Sequence, residues 1–271
     1  MLATIRHWFA DNFVELGREM RLSYLPPLMV YVAAGVSGLT GIVGTFFVKE
    51  YLGLSAAFLA ALGFWAGIPW ALKMPLGHLV DLIWRHKAGL VWLGAGLIAT
   101  SLLIMLGLVT EPLRMRAVMS IEAWFVLSAL LSPVGYVLQD VVADAMTVEA
   151  VPRVDEHGQP LPAATRRLMN TTLQTLGRVA IIGGGVLVSL VNVLMFAGVE
   201  SLPPNAKAAI YSEVYALALL IPLISVAGVL LAALLQRRER QRLRARGFAE
   251  ARLRELLEPP FRFPDLGGVW R

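Results

Sequence analysis

About six runs of roughly 20 predominantly apolar residues follow one another along this 271-residue chain, and that repetition limits what it can fold into. As a helix, each run rises far enough to cross a hydrocarbon core about 30 Å thick. The ten-residue alternation of an outer-membrane barrel does not occur. The expected fold class is therefore an all-α membrane protein, a bundle of six transmembrane helices. With 57% hydrophobic and 16% charged residues, the composition excludes an ordinary soluble domain. The chain has no cysteine, which rules out a disulfide framework, a thiolate zinc site and a thiol nucleophile. A net charge of +5 has meaning only through the loops that carry it, and it does not imply nucleic acid.

Residues 1–22 place Ile5, Phe9, Phe13 and Leu16 at helical spacing between charges, as in an amphipathic segment on a membrane surface or on the protein body. The bundle itself is expected over residues 23–236. Its first span, about 24–47, carries Gly35, Gly38, Gly41 and Gly44, small residues that let another helix approach. The second, about 54–83, contains Pro69 and Pro75, which free backbone carbonyls and predict a kinked, cavity-lining helix. The third, about 90–109, has Thr100 and Ser101 as its polar residues and reads as lipid-facing. The fourth, about 118–148, is expected to be interrupted at Ser132-Pro133. The proline-rich stretch 151–165 reads as a loop. The fifth, about 168–196, carries Gly183-Gly184-Gly185, a helix-packing feature and no phosphate loop. The sixth, about 215–235, is apolar apart from Pro222 and Ser225. A basic tail, residues 237–271, begins with six arginines opposed by Glu239.

Charges inside the spans point to function, because an ionisable group in the bilayer interior costs roughly 2.5 kcal/mol or more. Lys73 lies in the second span, Asp140 and Asp144 share a face of the fourth with Tyr136, and Asn170, Gln174 and Arg178 form a stripe on the fifth. Lys73 and Asp140 lie about nine residues inside their helix ends and Arg178 about ten, hence all roughly 13–15 Å deep. The expectation is that Asp140 pairs with Lys73 or Arg178, leaving one cation for an anionic solute, with Asp140 able to take a proton. Spans one, two, four and five should line the polar side, and three and six should face lipid.

Gly77-x-x-x-Asp81 followed by Arg85 and Lys87 resembles the signature between helices two and three of the major facilitator superfamily. Pro69-Trp70-x-x-Lys73-Met74-Pro75-x-Gly77-x-x-x-Asp81, taken with Asp140-x-x-x-Asp144-Ala145-x-x-x-Glu149, is more particularly similar to the folate-biopterin transporter family, with Met74 standing between the lysine and proline that family usually joins. The resemblance implies one six-helix half of a twelve-helix fold that works by alternating access. The partners it implies are a small solute such as a folate, pterin or other organic anion, the lipid bilayer, and a second six-helix half or a second copy. It also implies a gating motif of Gly77, Asp81, Arg85, Lys87 and Glu149, in which Arg85 pairs with Glu149 or Asp144.

Two other classes compete. Asp140 and Asp144 are spaced to hold magnesium in an intramembrane transferase, although a second aspartate-rich motif is missing. The charges would also serve a non-transporting assembly subunit by pairing helices. His7, His78, His86 and His157 do not recur with carboxylates at metal-ligand spacing, so neither a metal nor another cofactor is expected. Arg85, Lys87, Arg153, Arg166, Arg167 and the tail fall on one side, against Lys49, Arg114, Arg116 and Lys207 on the other. Both termini are therefore expected in the cytoplasm of a cell with this protein in its inner membrane.

Overall fold

Backbone hydrogen bonding is satisfied within helices almost throughout a computed structural model of the chain, as crossing a bilayer requires. The structure describes residues 20–47, 54–83, 86–155, 159–248 and 253. Among these, six helices are long and apolar enough to cross a membrane: α1 (Leu22–Phe47), α2 (Ala56–Leu82), α3 (Lys87–Thr110), α4 (Ile121–Ala150), α5 (Ala163–Phe196) and α6 (Pro204–Ala245). The expected amphipathic segment before α1, Arg85 and most of the tail lie outside the described residues.

Helices α1 and α4 pack on each other at the centre. The α3 and α6 helices join them on one flank, α2 rests mainly on α4, and α5 mainly on α1. Glycines set the closest approaches. A Cβ on Gly35 would lie 2.6 Å from the Ile181 carbonyl oxygen, and one on Gly184 would lie 2.8 Å from the Gly35 carbonyl carbon. The α1–α5 crossing therefore depends on both residues having no side chain. Gly183 and Gly185 face open space, so one glycine of the triplet makes this contact. Gly94 and Gly135 do the same for α3 and α4, each pointing at the other's carbonyl oxygen.

Several helix boundaries differ from the sequence reading. Pro133 does not interrupt α4, which runs unbroken for 30 residues. The fifth helix starts at Ala163 and the sixth at Pro204, and α6 continues through the arginines as far as Ala245, across the expected domain boundary. The α6 helix is interrupted at Leu219, three residues before Pro222, which has no N–H to bond the preceding turn. In α1 the glycine-rich centre, Val36–Thr40, tightens to a 3-10 helix.

The α3 helix exposes Trp92, Leu93 and Leu103 on one face, but its other face is packed into the bundle. Val91, Gly94, Ala95, Ile98, Ser101, Leu102, Ile104, Met105 and Leu108 are all buried against neighbours. Ser101 and Ser128 exchange hydrogen bonds with each other's hydroxyl and carbonyl oxygens at 2.9–3.0 Å. An apolar side chain packs as readily on a helix as on a lipid tail, so an all-round apolar pattern does not separate the two. It is α2 that is least covered: none of Ala56–Ala71 is buried, and Val80 is the buried residue of Lys73–Leu82.

Candidate functional site: a lysine between two carboxylates

Pro69 and Pro75 divide α2 at Leu72, where one helical segment closes and the next opens at Lys73. Proline at 75 has no N–H to donate to the carbonyl of residue 71, so the ladder breaks there and the axis bends. Lys73, the first residue after the break, reaches α4. Its Nζ lies 2.5 Å from Asp140 Oδ2 and 3.0 Å from Asp144 Oδ2. The two aspartates are one helical turn apart, so a single ammonium reaches both. Asp140 is nearly enclosed, with 10% of its side chain exposed, whereas Lys73 at 40% and Asp144 at 50% open toward the side that α2 leaves uncovered.

Tyr31 completes the cluster from α1 and donates a 2.6 Å hydrogen bond from its hydroxyl to Asp144 Oδ1. Its buried ring fits where α5 has Gly177; a Cβ there would lie 2.8 Å from two ring carbons. Neither residue stands out in sequence, because a tyrosine and a glycine in a transmembrane helix usually signal packing. Arg178, next to Gly177, acts electrostatically on Tyr31 but makes no ion pair or side-chain hydrogen bond among the described residues. Of the two pairings expected for Asp140, the one with Lys73 is formed. Since α5 begins at Ala163, Arg178 stands about 22 Å along its helix, farther from the helix start than the sequence reading had it. Gln174 is exposed, Asn170 half-buried, and Tyr136 packs into the apolar core instead of joining the charges.

A second polar layer lies behind the first. Gln139 accepts a 2.8 Å hydrogen bond from the Ser225 hydroxyl of α6 and donates one of 3.4 Å to the Val91 carbonyl of α3. Gln139 adjoins Asp140 in sequence, and that adjacency was the one signal that could have found it.

At the helix ends, Lys87 Nζ pairs with Glu149 Oε1 at 2.6 Å, both side chains largely covered, and Gln236 of α6 donates to Glu149 Oε2 at 3.4 Å. Glu149 therefore joins α3, α4 and α6. Asp144 is committed to Lys73 and Tyr31. Of the other signature residues, Gly77 faces Val141 of α4, and Asp81 is exposed without an ion pair among the described residues. Arg85 lies outside them. No group of three or more acidic or histidine side chains suited to a metal ion occurs among the described residues. Between Asp140 and Asp144, the position a cation would take is filled by the Lys73 ammonium.

These features define an integral membrane protein of six helices with an ion cluster joining α1, α2 and α4. No family model matches the chain, and no solved structure matches it. A 148-residue stretch, 54% of this chain, is 28% identical to 28% of the folate-biopterin transporter of Synechocystis sp. (strain ATCC 27184 / PCC 6803 / Kazusa). The aligned part thus spans little more than a quarter of that protein.

Proposed function

We propose that this protein moves a small organic anion, of folate or pterin type, across the cell's inner membrane by alternating access. In this reading the six helices form one half of a major-facilitator-like transporter, completed by a second six-helix half or a second copy. Both termini are cytoplasmic, as the distribution of arginines favours. The observation that carries the reading is the Lys73 cluster. One ammonium is shared by two carboxylates of unequal exposure, on the least covered helix, with Arg178 available as a second cation. Such a cluster has two arrangements: Lys73 held by Asp140 and Asp144, or Lys73 released toward an anion while a proton neutralises Asp140. The half-fold reading draws support from α2, whose exposed Phe64, Trp65, Trp70 and Met74 offer an apolar face to a partner half. The Lys87–Glu149 tie, with Gly77, Asp81 and Arg85, would hold the cytoplasmic ends during rocking.

The test is uptake of labelled folate and biopterin into vesicles containing the purified chain, alone and co-expressed with a second six-helix half. Lys73→Met, Asp140→Asn and Arg178→Met should each abolish uptake while the protein stays folded. Retained uptake in both Lys73→Met and Arg178→Met would sink the cation site. Loss of folding in all three would favour an assembly role in which the charges only join helices.

A further inference from the structure

Trp70 occupies the middle of α2, about 18 Å from its Leu82 end. Tryptophan is out of place there, because indoles in membrane proteins concentrate at the two interfaces, where the ring sits in hydrocarbon and the N–H keeps a polar partner. Trp124 donates its Nε1–H to the Met115 carbonyl at 3.0 Å, and Trp65 meets Phe64 edge-on with ring centroids 5.7 Å apart. Trp92 lies within about 8 Å of the start of α3, close to an interface. Trp70 has none of these settings: it is 46% exposed and makes no hydrogen bond or ring contact among the described residues. A lipid tail cannot accept from its N–H, so mid-membrane exposure of this side chain is costly unless it borders a polar path.

The helix places Trp70 beside Lys73, since residues three apart are neighbours on its surface. Pro75 deletes one bond from the ladder, yet Leu72 still donates to the Ile68 and Pro69 carbonyls at 3.1 and 3.2 Å, and Leu76 donates to the Leu72 carbonyl at 3.0 Å. The turn between Trp70 and Lys73 therefore stays closed. The indole is one turn from the ammonium that Asp140 and Asp144 share, and both side chains are open on the helix its neighbours cover least. A flat aromatic face next to a cation suits an anion that carries an aromatic ring. The ring stacks on the indole, the acid group reaches the ammonium, and the water of a solute path meets the N–H. Phe64 and Trp65 lie more than two turns from Lys73, too far to share one small solute with it.

We propose that Trp70 selects for an aromatic ring in the solute: the ring stacks on its indole while a carboxylate of the same molecule reaches Lys73. The inference rests on the transport reading above and deepens it, by assigning the side chain that distinguishes a ring-bearing acid from an aliphatic acid with the same charged groups.

The test is equilibrium binding of labelled folate and of labelled N-acetylglutamate, which has acid groups and no ring, to the purified full chain in detergent. Trp70→Ala should weaken folate by about 5- to 150-fold, the range for removing one stacking aromatic side chain, and leave N-acetylglutamate unchanged within about twofold. Trp70→Phe should keep most of the folate affinity, Trp70→Leu should not, and Trp65→Ala should match wild type. Lys73→Met should weaken both ligands. Unchanged folate binding in Trp70→Ala, with both ligands still weakened in Lys73→Met, would overturn the stacking role and leave the cation site standing. Equal loss of the two ligands in Trp70→Ala would also overturn it, since the indole would then only support Lys73 or meet the partner half. No folate binding by wild type, or none of it lost in Lys73→Met, would remove the transport reading and this proposal with it. A fluorescence measurement covers a folding failure of the alanine and leucine variants: folate should quench a larger fraction of tryptophan emission in wild type than in Trp70→Phe, and equal fractions would refute the stacking.

Discussion

Replacing Lys73 by methionine keeps the length and apolar stem of the side chain and removes its charge, leaving Asp140 and Asp144 facing each other without a cation. A fully buried pair costs about 3–5 kcal/mol to break by deleting one member, and an exposed pair contributes at most about 1 kcal/mol. With 40% of Lys73 and 10% of Asp140 exposed, the cluster falls between these limits, and we expect a loss of about 2–3 kcal/mol. That is roughly a 30- to 150-fold change in the unfolding equilibrium. Most of this is the cost of an orphaned carboxylate, so a second substitution should relieve it. Lys73→Met/Asp140→Asn should be about 1 kcal/mol or less below wild type, because Tyr31 and solvent still serve the half-exposed Asp144. Unfolding in mixed micelles, followed by tryptophan fluorescence, gives the three stabilities. A double variant as unstable as Lys73→Met would refute the reasoning, since the loss would then come from packing and not from an uncompensated charge.

The glycine triplet gives a comparison within one turn of α5. Gly184→Ala should cost about 1–3 kcal/mol by forcing α1 and α5 apart, whereas Gly183→Ala and Gly185→Ala should be neutral, as thermal unfolding of the three variants would reveal. Tyr31→Phe keeps the ring in its place beside Gly177 and removes one hydrogen bond to a charged acceptor, for a loss of about 1.5 kcal/mol measured in the same way. A Cβ at Gly77 would lie 4.0 Å from a Val141 methyl carbon, and the chain has no cysteine of its own, so a cysteine pair introduced at these two positions reports on α2 against α4. Oxidative cross-linking of that pair should be efficient in the native background and fall several-fold with Asp140→Asn/Asp144→Asn; unchanged cross-linking would show that the charges do not hold α2.

Much of this arrangement was legible in the sequence because charge is rare in a membrane helix. Lys73, Asp140 and Asp144 announce themselves by their cost, and of the two pairings expected for Asp140 the one with Lys73 is formed, whereas the second contact, Lys73 to Asp144, was not anticipated. Gly35 was readable for a similar reason, as part of a run of small residues on α1. Tyr31 and Gly177 were not, since their significance lies in each other: one supplies a hydroxyl and the other the room for its ring. The burial of α3 was hidden because its partners are as apolar as lipid. Pro133 misled for a local reason. It removes one hydrogen-bond donor, yet the packed helix passes through it unbroken, whereas Pro69 and Pro75 on the thinly covered α2 coincide with a real break.

That contrast between α2 and the other helices bears on how the bundle could work. The α1, α3, α4 and α6 helices are joined by buried side chains, by the Gly94–Gly135 and Pro26–Gly228 approaches and by hydroxyl and amide hydrogen bonds at Ser101, Ser128, Gln139 and Ser225. Such contacts respond weakly to charge. The α2 helix has little buried surface, and two of its strongest ties to α4 are the ion pairs of one lysine. In the proposed function, a proton or an anion competing at Asp140, Asp144 or Lys73 would therefore act on the helix with the least packing to oppose its movement. The Leu72 break, immediately before Lys73, would supply a place for that movement to occur without disturbing the α1–α4 centre.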